Sequence, residues 1–387
     1  MTEPVVIAAA RTAIGTSFKG TLAATEPADL AVPVISRLVA CADLPPSLVD
    51  DVILAESLHG GGVIARYAAL EAGLTTVPGL ALNRHCAGGL SAVLTAAASI
   101  RSGDQVVIAG GVQSSSTAPV PMDQADPARR WRFESHRPTP DAPADDMSVT
   151  VGWNAAHHTG LTRREQDEWA LRSHRRAVAA VAAGQFADEI VPVEVRSHDG
   201  TKLTFAVDEH PRASTSLEKL AALKPLHPEI PGFSVTAGNA SGINDAAAAV
   251  VVADPGLAGA RGWTPMARIR AGASVGVPPA QTGLAVSAAI TKALKRAGLT
   301  PPDIDVWEIN EAFASVAIAA TRTLDLDEER VNPYGSGCSL GHPVAATGAR
   351  MVTTLAHELA RRQGGLGVAA MCAGGGMASA VVLQGIG

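Results

Sequence analysis

Aromatic residues are scarce: Phe, Trp and Tyr make up 3% of the 387 residues. The interior must therefore be packed with aliphatic side chains. Cysteine is sparse too, since Cys41, Cys86, Cys338 and Cys372 lie far apart with no C-x-x-C pair among them. A disulfide framework is not indicated, and a reducing cytoplasm is the expected compartment. The formal net charge is -6, which removes the broad basic footprint of a nucleic-acid binder and leaves any anionic ligand to local arginines. Long apolar runs are also missing. The most apolar windows, such as Ala246 to Ala253, are too short to cross a bilayer. The first residues show no charged segment followed by an apolar one, and the last four, Gln384 to Gly387, carry no lipidation or peroxisomal signal, so neither export nor a membrane partner is expected.

What is present describes a large folded protein. Hydrophobic residues make up 47% and charged ones 18%, a balance that excludes disorder. The length predicts two or three domains. Short β-branched runs alternate with Ala-rich helical stretches: a strand at Val5 to Ala8, a helix near Ala28 to Leu38, a strand at Val52 to Ala55 and a helix near Val63 to Ala72. Ala87 to Arg101 reads as a buried helix followed by a strand, Gln105 to Ala109, that runs into Gly110-Gly111. The same grammar returns near the end, with a helix over Pro343 to Arg362, a strand over Gly367 to Cys372 and the turn Gly374-Gly375-Gly376. In each half a reactive side chain, Cys86 or His342, precedes the helix. This pattern predicts an internal duplication: an α/β fold of two similar halves about a pseudo-twofold axis.

Between the halves the texture changes. Pro119 to Asp146 is rich in Pro, Asp, Arg and Ser and reads as a surface excursion. Thr162 and Glu165 fit a capping box for a helix to about Ala183. The expected division is residues 1–114 with 244–264 as one half, 115–243 as an inserted lid-like region and 265–387 as the other half.

Several residues are candidates for chemistry. Cys86 stands just before a helix, where the dipole is expected to lower its pKa and expose a thiolate, while Gly88 and Gly89 would let a ligand approach the backbone. A buried core thiol is the competing reading. His342, held between Gly341 and Pro343, is a base that could activate Cys86, or else a satisfied buried histidine. Cys372 ends a strand beside glycines whose N–H groups suit an anion. Asn310 and Glu311 sit at the C-terminal end of a predicted strand, where α/β folds place ligands, although both are ordinary helix-start residues as well. Thr236 to Gly242 is a turn-rich loop of small residues that could lie along an extended ligand, or merely connect.

Taken together, these segments make the chain resemble a thiolase over essentially its full length. The matches run in one order: Ala9 to Gly15; Asn83-Arg84 with Cys86; Gln166 to Glu168; Asp208-Glu209 with Arg212; Thr236 to Asp245; Asn310 to Ala314; Gly341 to Pro343; and Cys372 with Gly374 to Gly376. The resemblance implies a ping-pong Claisen condensation of acetyl-CoA with an acyl-CoA, or its thiolytic reverse. In that scheme Cys86 is acylated, His342 activates it and Cys372 moves the proton at Cα. One oxyanion hole would comprise His342 and a water held by Asn310, and the other the N–H groups of Cys86 and Gly374. Coenzyme A contacts carry over to Met147, Arg212, Ala237, Ser241 and Phe313. The resemblance implies no metal and no permanently bound cofactor, acyl-CoA being the substrate. The family's tetramer-assembly loop falls within Pro119 to Asp146, which here is polar and Pro-rich, so a homodimer is the expected assembly, with a tetramer as the alternative.

Three departures from the family pattern, Gly88 in place of Ser, Asp146 in place of His and Thr282 in place of Met, are expected near the pantetheine or acyl pocket. Loss of the Met at Thr282 is expected to open that pocket to bulkier acyl groups. Two further classes fit parts of the sequence. A 3-oxoacyl synthase type of condensing enzyme would lack Cys372, and a non-catalytic acyl-CoA or lipid binder would form no covalent adduct.

Overall fold

A computed structural model describes residues 3–59, 63–120, 122, 125–126, 134–196 and 200–386. Its backbone is a mixed α/β structure around one extended sheet. Nine strands follow one another in the order Val306–Ile309, Leu366–Ala373, Met377–Gly385, Ala267–Gly276, Val5–Thr12, Asn244–Ala253, Val106–Gln113, Asp51–Ala55 and Gly79–Leu82. The duplication is visible in this order. From the central junction of Val5–Thr12 with Ala267–Gly276, which pair antiparallel, each side runs outward through two antiparallel pairings and then a parallel one. The first side adds one more parallel strand, Gly79–Leu82, at its edge.

The strands form where β-branched and small apolar residues run without interruption. Asn244–Ala253 is buried at every position, as expected for a strand covered on both faces. Two helices occupy the middle of the molecule. Gly88–Ser102 and Val344–Arg361 pack against each other and share a core that includes Leu90, Val93, Met351 and Leu355 with strand residues of both halves, Val107 and Ala369 among them. The outer face of the first half is covered by Pro27–Cys41 and Ile64–Glu71, that of the second by Ala285–Ala297 and Ala314–Thr323.

Few aromatics are available to fill gaps, so close backbone approach replaces bulk. A Cβ on Gly89 would stand 2.5 Å from the Ala349 nitrogen and 3.0 Å from the Ala345 oxygen. One on Gly88 would lie 2.7 Å from the Ala55 Cβ. These glycines therefore serve packing of the central helices and sheet, where the expectation was that they open the backbone to a ligand.

The predicted helices and strands named above are present, with ends shifted by a few residues. The capping box is there as well: Thr162 Oγ1 accepts the Glu165 N–H at 3.3 Å and Glu165 Oε2 accepts the Thr162 N–H at 2.7 Å. Of the excursion predicted over Pro119 to Asp146, residues 121, 123–124 and 127–133 lie outside the described residues. Its described part includes the isolated bridge between Thr139 and Ala142. No helix among the described residues is long and apolar enough to cross a membrane.

Candidate active site

The two central helices begin side by side, Gly89 facing Ala345, so the residues that precede them, Cys86 and His342, are brought to the same end of the molecule. Cys86 is partly exposed. Its thiol is faced by the backbone N–H groups of Gly374 and of Cys86 itself, which favour the thiolate, but removal of the sulfur from water outweighs them and the pKa is raised. The lowered pKa expected from the helix dipole is thus not found. Desolvation wins because the helix begins only at Gly88, beyond the thiol, and the resting group is an S–H. His85, immediately before it, holds a left-handed φ of 45° that turns the chain here. Its N–H donates to Asn83 Oδ1 at 2.8 Å.

His342 is buried and its surroundings define its tautomer. The Thr347 hydroxyl gives its one proton to the Pro343 oxygen at 2.9 Å, so at 2.7 Å from His342 Nδ1 it accepts, and Nδ1 carries the hydrogen. Asn310 Nδ2 also approaches Nδ1, at 3.5 Å, the outer limit of a hydrogen bond; the shorter Thr347 contact decides the tautomer. Nε2 is left as a lone pair, buried and without a partner among the described residues. Burial first, and Arg350 second, lower the His342 pKa to about 4, which keeps the ring neutral and basic at pH 7. The His342 N–H donates to Asn244 Oδ1 at 3.0 Å. Gly341, at φ 99°, leaves room for that amide, which any Cβ there would strike. Asn310 Oδ1 is a second buried acceptor without a partner.

Asn310 follows the strand Val306–Ile309 and donates its N–H to Ala370 at 3.0 Å, two residues before Cys372. Cys372 is buried, and its pKa is raised by burial first and by the neighbouring Cys86 second. The turn Gly374-Gly375-Gly376 then reverses the chain into Met377–Gly385. Gly375 and Gly376 have positive φ, and a Cβ on Gly376 would collide with the Val277 oxygen, so the turn requires glycine there. Thr282 holds it: Oγ1 accepts the Gly376 N–H at 3.0 Å and donates to the Pro279 oxygen at 2.6 Å. Thr282 is fully buried. It is a clamp on the turn, a role that its size alone did not suggest.

The residues singled out for coenzyme A fall in two groups. Phe313 bridges to Ala240, while Ser241 N–H donates to the Ala312 oxygen at 2.9 Å, so the loop carrying Ala237 and Ser241 is zipped onto the segment that ends in Phe313. A Cβ on Gly152 would lie 2.7 Å from the Phe313 ring. Met147 stands at the start of that same π-helical turn, Ser148–Trp153, and a Cβ on Gly374 would be 3.7 Å from its sulfur. Arg212 is apart from these, exposed, with its N–H on His174 Nδ1 at 3.2 Å. Asp146, beside Met147, accepts from Ser148 N–H at 2.9 Å and pairs with His227 Nε2 at 2.7 Å. His227 also meets Glu229 at 2.7 Å, and its pKa is raised by that hydrogen bond first and by Asp146 after it.

Glu311 has a structural place. Buried, it accepts from Trp169 Nε1, Ser173 Oγ, Asn332 Nδ2 and the Cys338 N–H. Cys338 is buried, its thiol within 3.7 Å of two backbone oxygens and its pKa raised well above normal. Sequence reasoning passed over Asn244 and Thr347, which position His342. A signal for Thr347 was available, since a Thr four residues after Pro343 in a helix returns its hydroxyl to the i−4 carbonyl. Among the described residues no group of three or more His, Cys, Asp or Glu is placed to hold a metal ion.

A duplicated α/β frame with two cysteines brought to one end of its central helices defines the class: an α/β acyltransferase. The chain belongs to the thiolase family: residues 4–255 match the thiolase N-terminal domain and residues 263–385 the thiolase C-terminal domain. It is 42% identical to the acetyl-CoA acetyltransferases of Pseudomonas aeruginosa and Escherichia coli K12, over 99% of this chain and of each relative. It is 40% identical to the beta-ketoadipyl-CoA thiolase of Acinetobacter baylyi, over 99% of this chain and 100% of that one. The crystal structure of the Bacillus anthracis acetyl-CoA acetyltransferase superposes with a TM-score of 0.89 at 39% identity, covering 100% of this chain and 99% of that one.

Proposed function

We propose that this thiolase joins acetyl-CoA to an acyl-CoA by ping-pong Claisen condensation, and cleaves 3-oxoacyl-CoA in reverse, through an acyl-Cys86 intermediate. The observation that carries the proposal is the pair of N–H groups, of Cys86 and Gly374, that converge on the Cys86 thiol. Fixed dipoles at that point favour the negative charge that a thioester oxygen gains when it is attacked.

In the first half-reaction His342 Nε2 takes the Cys86 proton and the sulfur attacks the thioester carbon. The C–S bond to coenzyme A breaks as the acyl–Cys86 bond stays, and the proton leaves on the coenzyme A thiolate. A neutral thiol–imidazole pair fits the raised pKa of one partner and the lowered pKa of the other. In the second half-reaction Cys372 gives its thiol proton to His342 Nε2 and, as thiolate, takes a proton from Cα of acetyl-CoA. The resulting enolate carbon attacks the acyl-Cys86 carbonyl, the C–S bond to Cys86 breaks, and the Cys86 thiolate recovers its proton from His342. The enolate oxygen then accepts from the protonated His342 Nε2 and from a water whose other hydrogen is held by the Asn310 Oδ1 acceptor. Ala237, Ser241 and Phe313 bind coenzyme A along the zipped loop, with Met147 and the separate, exposed Arg212 as further contacts, and no resident cofactor or metal takes part.

We also assign residues 1–114 with 244–264, 115–243 and 265–387 as first half, inserted region and second half, supported by the mirrored strand order. The location proposed is the cytoplasm, where four free thiols persist. The assembly proposed is a homodimer through the edge strand Gly79–Leu82, beside which Leu80, Tyr67 and Leu70 are exposed; light scattering tests it. For the chemistry, incubation with acetyl-CoA should add one acetyl group to the intact protein, and Cys86→Ala should abolish the adduct. An adduct that maps to Cys41 or Cys338 would overturn the assignment.

A further inference from the structure

Three side chains converge in front of the Gly374 α-carbon. A methyl group placed there would stand 3.7 Å from Met147 Sδ, 3.8 Å from Ser135 Oγ and 4.0 Å from His85 Cγ. Two of the three are polar, and neither figures in the roles assigned above. Ser135 Oγ lies 2.8 Å from His136 Nδ1, and His136 Nε2 lies 3.0 Å from the Ala142 oxygen. A carbonyl only accepts, so Nε2 carries the hydrogen and Nδ1 takes the Ser135 proton. The Ser135 oxygen therefore keeps its lone pairs for a ligand. The His85 ring makes no hydrogen bond or ring contact with the described residues, and its partial burial lowers its pKa, which favours the neutral ring. An imidazole next to the nucleophile in sequence, without a partner among the described residues and held by a left-handed backbone that His adopts at a cost, is open to a partner brought by the substrate.

Resting on the proposed acylation of Cys86, we infer that His85, with Ser135, reads the acyl chain: the site selects acyl groups that carry a hydrogen-bonding oxygen function, hydroxyl or carboxylate, over alkyl chains of equal length. A neutral imidazole offers one N–H and one lone pair, and the Ser135 oxygen can accept a second hydrogen bond from a hydroxyl. An alkyl chain leaves all of these desolvated and unpaired, which is how polar pockets reject apolar analogues. Ordinary acetyl transfer needs none of these groups, since acetyl carries no oxygen function besides its thioester carbonyl.

The test compares kcat/KM for three 3-oxoacyl-CoA thioesters of equal chain length ending in methyl, hydroxyl and carboxylate, in wild type, His85→Leu, His85→Asn and Ser135→Ala. Asn tolerates the positive φ at position 85, so a folding failure of the Leu variant does not end the experiment. The wild type is expected to favour an oxygenated thioester over the alkyl one by about tenfold or more, both His85 variants to bring that ratio near one, and Ser135→Ala to lower it in part. Preference for the carboxylate should weaken as pH rises, because binding an anion draws a proton onto His85, whereas preference for the hydroxyl should not change with pH. The same ratio in wild type and both His85 variants would overturn the inference while acetylation of Cys86 stands. Absence of acylation by any thioester would overturn the activity itself, and this inference with it.

Discussion

Thr282 and Gly376 are joined by a 3.0 Å hydrogen bond across the turn that presents Gly374 to Cys86. The hydroxyl that accepts it is itself anchored on Pro279. The position of an N–H group that faces the nucleophile thus depends on a side chain ninety-odd residues away in sequence, completely enclosed. Thr282→Val keeps shape and removes the acceptor, which leaves the Gly376 N–H buried without a partner. The expected cost is ~1 to 3 kcal/mol in denaturant unfolding, with kcat lowered for all thioesters alike. A variant of unchanged stability whose chain-length preference shifts would show instead that Thr282 shapes the acyl pocket.

Cys372→Ala should separate the two half-reactions. Acetylation of Cys86 should proceed at a near-normal rate, because the first step uses His342 as its base, whereas condensation and thiolysis should fall by at least ~100-fold, the usual scale of a lost acid or base. Rapid-quench mass spectrometry reads the first step and steady-state assay the second. Equal loss in both would give Cys372 a structural role only.

Three buried histidines make stability fall in mild acid. His174, His210 and His342 are each lowered to about 4, by burial first and by neighbouring positive groups second. A depressed histidine is neutral when folded and charged when unfolded between about 4 and 6.5, so the unfolded chain binds more protons there. The stability these groups contribute is complete above pH 6.5 and is lost as pH falls toward 4. Glu308, raised to about 7 by burial against the pull of Arg350, holds a proton when folded and works in the opposite sense. The three histidines outweigh this one carboxyl, so the net effect of the four groups is a loss of stability as pH falls from 6.5. Chemical denaturation at pH 6.5, 6.0 and 5.5 measures it; a flat profile would mean that these rings find solvent or partners in the folded protein.

Two glycine substitutions of the same kind should have opposite signs. Gly89→Ala places a methyl 2.5 Å from backbone of the opposite central helix and should destabilise by ~1 to 3 kcal/mol, with loss of activity because Cys86 and His342 stand at the start of those helices. Gly259→Ala lies in the helix Pro255–Arg261 with nothing near its new methyl and should stabilise by up to ~1 kcal/mol through helix propensity. Thermal denaturation of both variants gives the comparison.

The sequence by itself determined the local structure and the cast of residues. Uninterrupted apolar runs such as Ala246 to Ala253, the Thr162 capping box and the glycine stops after each central helix are short-range signals, and short-range physics decides them. Cys86, Asn310, His342 and Cys372 were legible in the same way, each at the edge of an element and in a segment that resembles the family. What only the tertiary structure decided are quantities set by neighbours distant in sequence. The Cys86 pKa moves up because burial exceeds the local dipole. Gly88 and Gly89 serve the contact with Ala55 and Ala349, which no window around residue 88 contains. Thr347 settles the tautomer of His342, Thr282 settles the turn at Gly376, and His85 and Ser135 meet at Gly374 from segments about fifty residues apart in sequence. Desolvation and hydrogen-bond satisfaction depend on everything that surrounds an atom, and those surroundings exist only once the chain has folded.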